Sequence, residues 1–231
     1  FDTLYEAAKI ALEFVMPVMV LSDGYIANGS EPWSIPEVSD LDKIKPNIIK
    51  NHDDYKPYDH SEDRLARPWA IPGMEGYEHR IGGLEKANNT GNVDYSPENH
   101  ELMVRQRQKK VDVIADFIPE VKIDGKKEGD LLVISWGGVF GSVKSGVRKA
   151  QQDNLSVSHI HLRHLNPFPS NLGECILNFD KVLIPELNMG HLKSIIRDRY
   201  LVDAKGFNKI SGKPFTSSEI FEKIKIILTE E

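Results

Sequence analysis

The sequence predicts an α/β protein built on a parallel-dominated, doubly wound sheet, preceded by a long irregular arm. Two observations carry that expectation. Short apolar runs at 131–135, 157–162 and 182–184 have the composition of strands buried on both faces, and they alternate with segments of helical spacing, the pattern of βαβ units. By contrast, residues 37–100 are dense in Pro, Gly, Asn and Asp, and neither a 3.6 nor a 2.0 period survives there.

In chain order, 2–14 is an amphipathic helix with Leu4, Ala7, Ala8, Ala11 and Leu12 at helical spacing. The run 17–21 follows, read as a buried strand. A buried parallel strand needs neighbours, and no comparable run comes for about a hundred residues, so the chain is expected to be the C-terminal piece of a larger protein. The arm carries aromatic spots at 55–58, 68–69 and 76–77. It is expected to be ordered mainly by packing on the last domain, with Trp69 and Tyr77 as anchors. Ser96-Pro97 opens a helix to about Phe117, with Ser as N-cap and Pro at the first position; its basic stretch 105–110 reads as a solvated face. After the strand at 131–135, Gly137-Gly138-x-x-Gly141 leads into a helix to about Gln152. Beyond the strand at 157–162 come a short helix at 171–178, the strand at 182–184, a helix at 190–199 and a short strand at 200–202. A final amphipathic helix begins at Ser217-Ser218-Glu219.

Composition excludes several function classes. Lys and Arg number 29 against 35 Asp and Glu, a net charge of −6, so no broad cationic face serves nucleic acid. The longest apolar stretch, 14–21, is far too short to span a bilayer. One cysteine, Cys175, excludes an internal disulfide framework, a Cys-based zinc site and a self-contained iron–sulfur cluster; it reads as an inert core residue. The expectation is a soluble, cytoplasmic protein. Sequons at Asn28, Asn88 and Asn154 are attributed to chance.

Open α/β sheets bind ligands at the carboxyl ends of their strands. Here those ends carry Trp136, Gly137, Gly138, Arg163, Asn166, Glu186 and Asn188. Gly137-Gly138 departs from the dinucleotide spacing and reads as tight strand–helix packing. Glu186 is a candidate for acid–base work or for an ion pair with Arg163. His159 and His161 share one strand face, a two-ligand metal geometry without an evident third ligand, and read rather as a packed strand-end cluster. Asp23-Gly24 with Asn51 27 residues on does not complete a diphosphate-and-metal motif, and Asp23 reads as a turn cap.

Longer motifs carry a resemblance. Leu21-Ser22-Asp23-Gly24-Tyr25-Ile26-Ala27-Asn28, Arg67-Pro68-Trp69-Ala70-Ile71-Pro72-Gly73, Glu78-His79-Arg80-Ile81-Gly82-Gly83-Leu84-Glu85-Lys86 and Thr90-Gly91-Asn92-Val93 resemble the alpha subunits of 2-oxoacid:ferredoxin oxidoreductases, most closely the 2-oxoglutarate type. Leu162-Arg163-His164-Leu165-Asn166-Pro167, Val182-Leu183-Ile184-Pro185-Glu186-Leu187-Asn188-Met189-Gly190 and Asn208-Lys209-Ile210-x-Gly212-x-Pro214-Phe215 continue it, with His164 standing where an aromatic is expected. The resemblance implies the tail of a thiamine-pyrimidine-binding domain at 1–36, a connecting arm and helix at 37–129, and a transketolase-C-terminal-like domain at 130–231. It implies oxidative decarboxylation of a 2-oxo acid on thiamine diphosphate with Mg²⁺, acyl transfer to coenzyme A, and electron transfer to ferredoxin through an iron–sulfur cluster on a beta subunit. No catalytic residue or metal ligand is carried onto this chain, and no cofactor is expected on it alone. The crevice residues Gly137, Gly138, Arg163, Asn166, Glu186 and Asn188 are the cofactor-binding candidates. The reading from the residues alone is a self-contained binding or assembly module using that crevice.

Overall fold

The computed structural model describes residues 1–50 and 54–229; Asn51, of the incomplete diphosphate motif, lies outside the described residues. Along the chain the elements are α1 (Asp2–Phe14), α2 (Gly24–Ala27), α3 (Pro97–Val113), β1 (Gly129–Trp136), α4 (Phe140–Gln152), β2 (Val157–Leu162), α5 (Leu172–Leu177), β3 (Phe179–Glu186), α6 (His191–Tyr200), β4 (Lys205–Asn208) and α7 (Ser217–Thr229). They divide into two compact units. The first is Phe1–Val20 with Pro32–Phe117, and the second is Leu21–Glu31 with Ile118–Glu231.

In the first unit, α1 buries Phe14, whose ring meets Phe117 edge-on at 5.1 Å. The Arg64 guanidinium lies 4.9 Å from the Phe117 ring centroid and ties the arm to this aromatic pair. The arm is ordered by short local pairings, Ile48 with Trp69, Tyr58 with Asn89 and Lys86 with Val93, rather than by strands of any length. Its partners within this unit are α1 and α3. Tyr5 donates to the Asp42 carbonyl at 2.5 Å, and Asn99, buried in the first turn of α3, donates to the Lys86 carbonyl at 2.9 Å and accepts from the Asn88 N–H at 3.1 Å. Ser96 caps α3 through the Asn99 N–H, as Ser-Pro predicts. The run 17–21 is not a strand. Its backbone joins no sheet among the described residues, and Met19 and Leu21 are exposed. An apolar run becomes a strand only where a ladder receives it.

The second unit is the doubly wound sheet. The strand order is β2-β1-β3-β4, every pair parallel. Side chains alternate along β1, so Leu131 and Val133 join the core under α4 and α7, while Leu132 and Ile134 join the core under α5 and α6. Burial on both faces is why the strands read as unbroken apolar runs. Along the outer edge of β2 the chain segment at Asp124 forms a single antiparallel bridge, exchanging both backbone hydrogen bonds with His159 at 2.8 and 3.0 Å. Helices α4 and α7 approach closely at Gly146, where a Cβ would stand 2.7 Å from the Ile220 side chain and 2.9 Å from the Ser217 carbonyl.

Two local readings are corrected. No strand forms at 200–202. Tyr200 ends α6, and Leu201 closes it in the left-handed conformation, φ 53°, with its N–H on the Arg197 carbonyl. The fourth strand is Lys205–Asn208, whose Gly and Asn hide it from propensity. At α7 the cap is Thr216, one residue earlier than read. Thr216 Oγ1 accepts the Glu219 N–H at 3.2 Å, while Glu219 Oε2 accepts the Thr216 N–H at 2.7 Å, a reciprocal capping box.

Candidate functional site at the strand ends

The candidates cluster at the carboxyl edge of the second unit's sheet, but most of their polar atoms are engaged in holding the fold. The Glu186 side chain is buried at 1% exposure at the end of β3. Its Oε2 accepts the Leu192 N–H at 2.9 Å, the Trp136 indole N–H at 3.3 Å and the Asn188 amide at 3.0 Å, and its Oε1 accepts the Lys193 N–H at 2.9 Å. Asn188 Oδ1 accepts the N–H groups of Gly190 and His191 at 2.7 and 2.9 Å. A helix leaves its first four N–H groups without intrahelical partners; in α6 these two side chains satisfy all four. A carboxylate there also complements the positive end of the helix. Glu186 and Asn188 thus form a two-residue cap that fastens α6 to β3, and the indole bond fastens β1 to the same point.

Gly137, with φ 62°, and Gly138 make the turn from β1 into α4. Asp23 packs so closely against Gly138 that a Cβ there would collide with its Oδ2. The Asp23 Oδ1 accepts the Ile26 N–H at 2.9 Å, the turn-cap role the sequence suggests. The mouth of the crevice at Gly138 is therefore filled by a carboxylate of the chain itself. Arg163 is exposed just past β2, and Asn166 is exposed before Pro167. Cys175 is partly buried, and burial pushes its thiol up, away from the thiolate.

A cluster that the sequence reading did not assemble lies just inside the carboxyl ends of β1 and β2. Ser135 Oγ stands 2.7 Å from His159 Nε2 and 2.8 Å from His161 Nδ1. The parallel register places Ser135 beside His161 and Val133 beside His159, so the hydroxyl fits between the rings. Phe140 covers both, 6.1 Å from the His159 centroid and 4.7 Å from that of His161. A hydroxyl has one proton, so it donates to one ring while the other ring donates to it, and the two tautomers are coupled. Burial drives both imidazoles down to about 4, with the His161 charge also opposing that of His159, and Arg163 that of His161. Both rings are neutral at pH 7. Among the described residues, no group of three or more His, Cys, Asp or Glu side chains converges to hold a metal ion. The signal for this cluster was a Ser at the last inward position of one apolar strand opposite His-x-His on the next. It required the register to be read.

No helix among the described residues is long and apolar enough to cross a membrane. Residues 1–98 match the family model described as pyruvate flavodoxin/ferredoxin oxidoreductase, thiamine diP-binding. The chain is 46% identical over 99% of its length to the 2-oxoglutarate oxidoreductase subunit KorA of Mycobacterium tuberculosis, covering 35% of that protein. It is 27% identical over 97% of its length to the 2-oxoglutarate synthase subunit KorA of Methanothermobacter marburgensis, covering 60% of it. The chain thus spans between about a third and three fifths of the length of these curated relatives. In structure it is similar to the 2-oxoglutarate:ferredoxin oxidoreductase of Magnetococcus marinus, solved with 2-oxoglutarate, coenzyme A and succinyl-CoA bound, at a TM-score of 0.89 and 30% identity, covering 96% of this chain and 39% of that one. Over nearly its whole length, then, this chain is a relative of part of the alpha subunits of 2-oxoacid:ferredoxin oxidoreductases, the 2-oxoglutarate type among them.

Proposed function

We propose that this chain is part of the alpha subunit of a thiamine-diphosphate-dependent 2-oxoacid:ferredoxin oxidoreductase, acting on 2-oxoglutarate. The complex would decarboxylate the 2-oxo acid oxidatively, form the acyl-CoA and pass the electrons to ferredoxin. The observation that carries this reading is the fit of 96% of the chain, at a TM-score of 0.89, onto a 2-oxoglutarate:ferredoxin oxidoreductase. In this reading residues 1–36 are the tail of a pyrimidine-binding domain, 37–129 the connecting arm and helix, and 130–231 a closing α/β domain. A beta subunit would bring the diphosphate and Mg²⁺ contacts and the iron–sulfur cluster.

The described residues do not form a diphosphate site by themselves. A Mg²⁺-bridged diphosphate needs converging oxygen ligands, no metal-capable cluster exists among these residues, and the carboxylate of Asp23 is engaged with α2. The role of this portion is architectural. Glu186 and Asn188 cap α6, and the crevice residues Gly137, Gly138, Arg163 and Asn166 set the strand ends that the rest of the complex would meet. Cofactor chemistry must be positioned by protein groups, so the chain alone should be inactive. An assay with 2-oxoglutarate, coenzyme A and a viologen dye should stay at background until full-length alpha and beta subunits are supplied. Dye reduction by this chain alone above the no-protein control would overturn the reading. So would background activity of a reconstituted, correctly assembled complex.

A further inference from the structure

The first unit has a half-open cleft of about 420 Å³ between α3 and the arm. Four cations line it, Arg67, Lys86, Arg107 and Lys110, against one carboxylate, Glu85, leaving an excess of three positive charges. Glu85 is already engaged, accepting from His100 Nδ1 at 2.7 Å and from Arg107 at 3.2 Å. The lysine ammoniums donate to carbonyls. Lys86 reaches those of Gly82 and, at 2.6 Å, Leu84, and Lys110 reaches that of Val15 at 3.0 Å. The Arg67 guanidinium lies over the Tyr58 ring at 5.2 Å. Burial, together with the charge of Arg67, drives Lys110 down to about 8. His60, also in the wall, buries both ring nitrogens without a hydrogen-bond partner. Concentrating cations without their counter-charge costs free energy in the folded chain, and a bound anion returns it.

We propose that this cleft binds the phosphoryl group of a small organic phosphate. A phosphoryl dianion matches the charge excess better than a monocarboxylate, and the planar fork of Arg67 suits two of its oxygens. The volume lies in the range of small-molecule sites and exceeds what a bare phosphate fills. Leu84 and Met103 supply apolar wall for the organic part. All of these groups belong to the first unit.

The test is calorimetric titration of the full chain with pyrophosphate, inorganic phosphate and glutarate, without divalent ions. Pyrophosphate should give saturable heat, and Lys110→Met and Arg67→Ala should each weaken binding by about tenfold or more. Arg67→Lys, which keeps the charge but not the fork, should fall between. Thermal melts report whether each variant folds, and Lys86→Met replaces Arg67→Ala if the latter does not. Absence of saturable heat in the wild-type chain would overturn the proposal. So would unchanged affinity in the folded variants, which marks scattered surface binding, or tighter binding of glutarate than of pyrophosphate, which marks a carboxylate site.

Discussion

The Ser135 hydroxyl, shared between two imidazoles, makes the second unit sensitive to acid in a defined window. Both rings titrate near 4 in the folded chain and near 6.5 when unfolded. Between those values the unfolded chain binds more protons than the folded one, so stability is fully present above about 6.5 and is lost as pH falls toward 4. The melting temperature should drop by roughly 10–20 °C between pH 7 and pH 4.5 beyond what other groups contribute. His159→Leu should flatten that dependence when its profile is subtracted from the wild type's. Superimposable profiles would show that the rings do not act this way. Among the individual residues, Glu186 teaches the opposite lesson from Ser135. The sequence marks it as a buried acid at a strand end, the usual place for chemistry, and four donors already occupy its oxygens.

At the scale of elements, the contact between α4 and α7 depends on Gly146 having no side chain. Gly146→Ala places a methyl against the Ile220 side chain and the Ser217 carbonyl. It should therefore destabilise by about 1–3 kcal/mol despite the higher helix propensity of alanine, read as a lower urea midpoint. A neutral or stabilising result would mean that α7 can shift outward without loss. Helices α4 and α7 and strand β2 were legible because burial on both faces and helical spacing write themselves into local sequence. β4 was not, because Lys-Gly-Phe-Asn has neither β propensity nor alternation and is a strand only because β3 offers it an edge. The run 17–21 failed in reverse, having strand composition without a ladder. The α6 cap was invisible because Glu186 and Asn188 act on the helix start through folding of the 186–193 loop, a geometry no spacing rule encodes.

For the whole molecule, the sheet is open and has two outer strands. β4 is short and ends in Asn208, while β2 is a six-residue run with apolar core on both faces. The pairing of Asp124 with His159 and the Gln151 amide on the Val157 carbonyl at 3.0 Å occupy the first half of the outer edge of β2, and the Ser158 hydroxyl, on the Lys126 carbonyl at 2.8 Å, holds the covering segment there. A free edge of that composition is a template for a second chain. Gly125, with φ 128° and the Ser158 Oγ 2.5 Å from where a Cβ would stand, lets the covering segment lie flat. Gly125→Val should lift it, and the consequence would be colloidal before it is thermodynamic: light scattering should grow with time and concentration at temperatures well below unfolding. A variant that stays monodisperse while the segment is displaced would show that solubility is guarded elsewhere.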